Sequence, residues 1–232
     1  MQTSTPPRQP LQTPRAAGVA GIVFALLLAA AMVLIRLGIP QGADAVSTQR
    51  PDPSQLSAVR AALMLVPFAG IFFLWFVGAV RSHVGDAEDR FMATVFLGSG
   101  LVFTATMFAA AATAAAVLDT AHPAGTSPSR PTWDFGQHLA YTLMTGYAMR
   151  MAAVFVCSAS VIGHRLGILP RWLTLLGFLT TVVLLFVSTA VPWAELVFPA
   201  WSLLLSAYIV MESFRRSAAT PAAPAAPTAP AA

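Results

Sequence analysis

The feature that most constrains this chain is a series of long apolar runs separated by short polar segments. Each run approaches or exceeds the ~20 apolar residues that a helix needs to cross the roughly 30 Å hydrocarbon core of a bilayer. The pattern predicts an all-α fold, a polytopic membrane bundle of six transmembrane helices. The runs cover about residues 16–38, 58–80, 91–118, 137–163, 172–191 and 194–213.

The overall composition predicts the same class of protein. Hydrophobic residues make up 57% of the chain and charged residues 9%, with a mean hydropathy of +0.72, whereas soluble domains carry about 25% charged residues. The chain is basic, but all of its positive side chains are dispersed arginines, and no nucleic-acid-binding motif accompanies them. We therefore expect the lipid bilayer as a partner and exclude nucleic acid.

The two ends of the chain differ from its middle. Residues 1–15 are rich in Pro, Thr and Gln, and residues 215–232 are rich in Pro and Ala. Neither segment has enough apolar surface to fold alone. We predict a disordered cytoplasmic tail at each end of a transmembrane domain that spans residues 16–214.

The arginines also predict the orientation of the helices in the membrane. With a cytoplasmic N-terminus, twice as many arginines lie inside as outside, as the positive-inside rule requires. The chain lacks lysine and asparagine and is rich in alanine, which is typical of a GC-rich bacterial genome. The predicted location is the bacterial inner (plasma) membrane, multi-pass, with both termini cytoplasmic. The inner set is Arg8, Arg15, Arg81, Arg90, Arg165, Arg171, Arg215 and Arg216, and the outer set is Arg36, Arg50, Arg60 and Arg130.

Arg150 stands near the middle of the fourth run, in the sequence GYAMRMAAV. It is about 20 Å along the helix from either end, and an arginine at a helix centre costs about 2.5 to 3.5 kcal/mol on insertion scales. At about 100° per residue it shares one face with small and polar residues, which suit helix contacts in lipid. We therefore expect Arg150 to point into the bundle and the opposite, bulky face to point to lipid. The first face comprises Thr142, Gly146, Arg150, Ala153, Cys157, Ser160 and His164, and the bulky face comprises Met144, Met151, Phe155 and Ile162.

Three roles are open for Arg150. It is a buried clamp that fixes helix packing, an anchor in a substrate, anion or ion pathway, or a contact for a lipid headgroup. Prolines in neighbouring spans free backbone carbonyls that a guanidinium can use. We predict that Arg150 reaches one or more of three kinds of group: the Leu63 carbonyl, the Glu195 carboxylate, or hydroxyls such as those of Thr104 and Thr180.

The candidate site that follows is an intramembrane polar or substrate site. Its members are Arg150, Thr142, Ser160 and Glu195.

The other motifs indicate no catalytic or metal chemistry. Residues 98–100, GSG, are similar to the serine motif of rhomboid proteases, but neither of the last two runs contains a histidine to activate Ser99. The acidic turn at 81–91, RSHVGDAEDRF, matches no calcium loop, and its acids suit a helix start. Cys157 is the only cysteine, which excludes an intrachain disulfide. We predict no metal, no cofactor and no catalytic residue.

The order of these features resembles one known group of proteins. The six runs, the segment GDAEDRFMATVFLGSGL and the segment GHRLGILPRWLTLLGF resemble uncharacterised six-helix integral membrane proteins of actinobacteria, of the domain-of-unknown-function type. The resemblance covers about residues 16–214. It implies a fold and a membrane location and supplies no functional residues.

The function predicted from the sequence is that of a non-enzymatic accessory or assembly component, whose partner is a second membrane protein or another copy of the chain. The alternative is a small-molecule or ion transporter or channel that uses Arg150. An embedded enzyme is the third reading, because no nucleophile and base pair by role and depth. A transporter predicts a cavity at Arg150 and broken helices near Pro67 and Pro199, whereas an accessory protein predicts a dry centre and an apolar flank for a partner.

Overall fold

The computed structural model describes residues 14–38, 53–84, 90–120, 130–188, 191 and 193–219, and these residues form helices joined by turns, with no strand among them. The predicted tails lie outside these residues, except that 14, 15 and 215–219 are helical. The α-helices are α1 (Pro14–Gly38), α2 (Pro53–Val84), α3 (Arg90–Thr120), α4 (Arg130–Tyr141), α5 (Met149–Arg165), α6 (Arg171–Val182) and α7 (Val197–Ala219).

Among the described residues, five helical segments are long and apolar enough to cross a membrane, which confirms five of the predicted runs as long apolar helices. The predicted fifth run forms a shorter apolar helix, Arg171–Val187. At 1.5 Å per residue this helix is about 25 Å long, near the lower limit for a span. The five longer segments are Arg15–Leu37, Ser54–Arg81, Arg90–Asp119, Asp134–Arg165 and Ala194–Arg215.

The helix that contains Arg150 is the most enclosed of the five. It runs from α4 through a π-helical segment, Thr142–Ala148, into α5 without a break. It packs against α3 on one side, and α5 packs against α6 on the other. In its most apolar stretch 67% of the residues are buried, compared with 28 to 44% in the other four.

The centre of the bundle is filled by phenylalanine rings. Phe73 of α2 lies 5.0 Å from the ring centroid of Phe155 in α5, and Phe103 of α3 lies 5.1 Å from that of Phe198 in α7. Phe24 of α1 completes the cluster, 4.5 Å from Phe73. Edge-to-face and tilted ring pairs of this kind contribute about 0.5 to 1.5 kcal/mol each beyond their buried area. The rings therefore join α1, α2, α3, α5 and α7 around one apolar centre.

Two π-helical segments meet inside the bundle. The first, π1 (Thr142–Ala148), separates α4 from α5, and the second, π2 (Val183–Val187), extends α6. Ser188 follows π2, and its hydroxyl donates to Leu184 O at 2.9 Å and to Thr145 O at 3.4 Å. A π segment shifts the backbone hydrogen-bond register by one residue and is frequent at functional sites. It also rotates α5 relative to α4.

Helices α1 and α7 approach each other closely through small residues. A Cβ added to Gly21 would overlap the hydroxyl of Ser206, and one added to Gly18 would lie 3.0 Å from the Ser206 carbonyl oxygen. In a membrane environment, small residues at a helix contact allow the backbones to come close enough to pack. The two glycines thus explain why α1 packs along α7.

Candidate functional site

The polar feature with the most complete set of contacts is a buried ion pair between α1 and the start of α7. Arg36 lies in the last turn of α1, and Glu195 lies in a 3₁₀ turn, Ala194–Leu196, that leads into α7. Arg36 Nε donates to Glu195 Oε1 at 2.8 Å, and its Nη2 donates to Oε2 at 3.1 Å. The glutamate side chain is 1% exposed and the arginine side chain 10%. This bidentate geometry is the strong form of the arginine–carboxylate contact.

One aromatic side chain lies against the pair. The guanidinium carbon of Arg36 lies 5.7 Å from the centroid of the Trp193 ring, within cation–π range. The pair therefore joins the end of α1 to the start of α7 at one end of the bundle.

The backbone beside Glu195 is in an unusual conformation. Trp193 has φ 71° and ψ 0°, and among the described residues it is the one residue other than glycine with positive φ. A bulky side chain in the left-handed region costs roughly 1 to 2 kcal/mol, so surrounding contacts must hold it there. This turn places Glu195 under Arg36 and the indole against the guanidinium.

Sequence reasoning missed this pair and assigned Glu195 to Arg150 instead. That prediction is wrong because the carboxylate is already engaged in two hydrogen bonds with Arg36. A usable signal was present in the sequence. Arg36 ends the first run and Glu195 begins the last one, so the predicted topology puts both residues on the same side of the membrane. Matching charges by depth, rather than seeking a partner for the most conspicuous arginine, would have found it.

Arg150 has a different environment. Its side chain is exposed, and its Nη1 donates at 2.8 Å to the carbonyl oxygen of Gly146, one turn earlier in the same helix. Over the described ranges no carboxylate lies in ion-pair range of Arg150. The expectation that Arg150 points into the bundle, toward Leu63, Glu195, Thr104 or Thr180, is therefore wrong.

The predicted lipid-facing side of this helix is also wrong, because Met144, Phe155 and Ile162 are buried in the core. The predicted inner face is right only in part: Gly146, Ala153 and Ser160 are buried, whereas Thr142, Arg150 and His164 are exposed. The reason is physical: a membrane interior is as apolar as a phenylalanine-filled core, so residue bulk does not decide which face packs inward. The π1 segment adds a second error because it breaks the 100° periodicity.

The four predicted site residues do not form one site. Thr142 and Arg150 do lie together, since a Cβ on Gly146 would be 3.8 Å from Thr142 Cγ2 and 3.4 Å from Arg150 Nη1. Ser160 is ten residues further along, about 15 Å away along the helix axis, and is fully buried. Glu195 belongs to the pair with Arg36.

Ser160 instead occupies a niche at the contact of α5, α6 and α7. A Cβ on Gly177 of α6 would overlap the Ser160 hydroxyl and lie 3.1 Å from Trp201 Nε1 of α7. Within the described structure the Ser160 hydroxyl and the Trp201 N–H are both buried without a hydrogen-bond partner. The Ser160 hydroxyl and the Trp201 N–H fill the space that a side chain at position 177 would occupy, so the niche has no free volume beside these atoms. It serves helix packing.

The cavity found in the described part of the bundle does not include Arg150 in its lining. The best-formed cavity among the described residues has a volume of about 10 Å³, at the lower limit for one water molecule. It is lined by apolar side chains of α1, α2 and α3 and by Thr104. Helix α2 continues through Pro67, and Pro199 lies in the first turn of α7, so neither proline breaks a helix in mid-span.

Among the described residues, no group of three or more His, Cys, Asp or Glu side chains converges as a metal site would require. Residues 85–89 of the acidic turn, which contain its three acids, lie outside the described part of the chain. The two polar features left to consider are thus the internal Arg36–Glu195 pair and the exposed guanidinium of Arg150 in the middle of its helix.

No protein-family model, curated protein or solved structure matches this chain. The resemblance to six-helix actinobacterial membrane proteins stays a prediction. The geometry of Arg36 and Arg150 is therefore the main guide to function.

Proposed function

We propose that this chain is a multi-pass protein of a bacterial plasma membrane that acts as a non-enzymatic accessory or assembly component. In this proposal α6, with its π2 extension, is the sixth span, and the distribution of arginines places both termini in the cytoplasm. The face that binds the other component is the surface strip around Arg150. The remainder of the bundle is the scaffold that holds this strip.

The observation that carries the proposal is an exposed guanidinium halfway along an apolar helix. Arg150 lies near the midpoint of the segment Asp134–Arg165, and its hydrogen bond to Gly146 O satisfies one of its five N–H groups. In a bilayer the remaining donors would face hydrocarbon, at a cost of about 2.5 to 3.5 kcal/mol. Charged side chains in such places face a bundle interior or a water-filled cavity. A second membrane component supplies that interior.

The surroundings of Arg150 support a contact face rather than a transport pathway. The neighbouring residues Ala148, Met149, Ala152 and Ala153 are completely buried, so α3 and α6 enclose the helix and leave a narrow strip open. The small cavity at the apolar centre is lined by residues of α1, α2 and α3, and none of them belongs to this strip. A transport anchor needs an aqueous route through the protein, whereas a docking strip needs only its outer face.

The proposal is tested by photo-crosslinking from inside the strip. Tyr147, one turn from Arg150 on the same side, is 61% exposed and is replaced by a benzophenone amino acid in membranes of the source cells. The matched control carries the same group at Phe68 of α2, which is 57% exposed. We expect a discrete protein adduct from position 147 that disappears with Arg150→Met. The absence of such an adduct, or an identical one from position 68, would exclude the strip as a docking face.

A further inference from the structure

We infer that the partner at the Arg150 strip is a different protein whose transmembrane helix carries a carboxylate at mid-depth. This inference rests on the proposed function and adds the chemistry of the partner to it. The strip consists of Thr142, Gly146, Tyr147 and Arg150. Its geometry and the positions of the acidic residues of this chain carry the argument.

The outer surface of the strip is formed by the guanidinium itself. Gly146 is buried beneath it, with Arg150 Nη1 3.4 Å from where a Cβ would be. The bond to the Gly146 carbonyl holds Arg150 in this position, and Tyr147 is exposed beside it. A helix lying along the strip would therefore meet the guanidinium at its own midpoint.

The charge of the strip selects the partner group. A guanidinium presents its donors in a planar fork that matches the two oxygens of a carboxylate, as Arg36 and Glu195 show inside this bundle. When Arg150 binds a carboxylate in this way, it loses an exposed charge and satisfies further N–H groups. A partner helix with only hydroxyl or amide groups would leave the charge uncompensated.

Within the described ranges this chain has no carboxylate near the middle of a helix, so those residues of a second copy do not meet the requirement. The acidic residues within the described ranges are Asp119, Asp134, Glu195 and Glu212. Glu195 is buried against Arg36, and the other three lie near the ends of their helices. Two strips facing each other across a two-fold axis would bring like charges together, which is unfavourable. The charge pattern thus favours a hetero-partner over a homodimer through this face.

The experiment uses designed single-pass helices as probes. The purified full chain is reconstituted in phosphatidylcholine vesicles with a leucine–alanine helix that carries one central Glu, and association is measured by energy transfer. Removal from water disfavours the ionised form of this central carboxyl, so it is charged only where a counter-charge such as Arg150 faces it. Matched probes carry Gln or Lys at the same place. We expect the Glu probe to bind the wild type roughly tenfold more tightly than either control, and Arg150→Met to remove this preference. Arg150→Glu should bind the Lys probe instead, which guards against a folding defect as the explanation.

Two outcomes would overturn the inference: equal binding of the three probes to the wild type, or a Glu preference that persists in Arg150→Met. A third outcome would also overturn it. If no probe is preferred, and added phosphatidylglycerol is enriched around the wild type but not around Arg150→Met, then Arg150 binds lipid phosphate. If position 147 forms its adduct in cells but the Glu probe is not preferred, the docking face stands and the inference of a carboxylate on the partner helix is wrong. If the probe is preferred but no adduct forms, the proposed function fails.

Discussion

Arg36 and Arg150 place the same guanidinium group in two opposite settings. Arg36 is nearly buried, binds both oxygens of Glu195 and lies against the Trp193 ring. Arg150 is exposed and bonds to its own helix. The first charge is neutralised by Glu195, whereas the second has no carboxylate within ion-pair distance among the described residues. The contrast teaches that a charged residue in an apolar helix indicates a structural role only where the same fold also provides a side chain of opposite charge to bind it.

The largest effect is expected when the internal pair is broken from one side. Glu195→Ala leaves the guanidinium of Arg36 buried without a counter-charge, which costs about 3 to 5 kcal/mol of unfolding free energy. Thermal unfolding in mild detergent, followed by circular dichroism, measures the loss. The control is the double variant Arg36→Met with Glu195→Leu, in which no charge is stranded and much of the stability returns. Equal melting of Glu195→Ala and the wild type would show that the pair does not hold α1 to α7.

A smaller effect is expected at the niche on the buried side of α5. Gly177→Ala forces a Cβ into the Ser160 hydroxyl, and overpacking of this kind costs about 1 to 3 kcal/mol. The matched control is Gly78→Ala in α2, where a Cβ meets nothing within 4 Å and better helix propensity stabilises by up to about 1 kcal/mol. The same melting experiment compares them. If both variants behave alike, α5, α6 and α7 are not close-packed at this point.

The turn beside Glu195 provides a third comparison. Trp193→Ala and Trp193→Gly both remove the indole that lies against Arg36, but only glycine adopts φ 71° without strain. We expect the glycine variant to be more stable than the alanine variant by about 1 kcal/mol. Chemical denaturation of the two purified variants measures the difference. The reverse order would mean that the backbone at 193 is not left-handed.

The smallest effect on stability is expected at Arg150 itself. Arg150→Met removes an exposed side chain without a carboxylate partner, so the isolated protein should unfold within about 0.5 kcal/mol of the wild type. Arg36→Met, which strands Glu195, is the matched arginine variant and should be far less stable. Side-by-side melting curves test the contrast. A loss at Arg150 as large as that at Arg36 would give both arginines the same structural role.

Much of the helical layout was predictable because it depends on local properties. Runs of about 20 apolar residues form helices in a bilayer wherever they occur, and five of the six predicted runs are long helices with boundaries close to those expected. The fifth run is shorter, since α6 begins after Pro170 and its π2 extension ends at Val187. Sequence could also single out Arg150 and Glu195 as unusual residues. It could not say which residues they meet.

The direction of Arg150 was mispredicted for two reasons. The prediction assumed that the small, polar face of this helix turns inward. In the structure Phe155, on the opposite face of the helix, packs into the ring cluster of Phe73, Phe103 and Phe198 and turns that bulky face inward. In addition, π1 shifts the rotational phase between Thr142 and Met149, and no residue in TLMTGYA signals it in advance. Both effects depend on contacts between helices that are distant in the chain.

The sequence by itself determined that the chain is helical and apolar and that it places an arginine in the middle of a long apolar run, because hydropathy and length are properties of single segments. Only the tertiary structure decided that Glu195 binds Arg36 and that Arg150 faces outward. The physical reason is that apolar faces in a lipid environment gain little from burial against each other. The fit of rings, glycine gaps and matched charges therefore selects which faces meet.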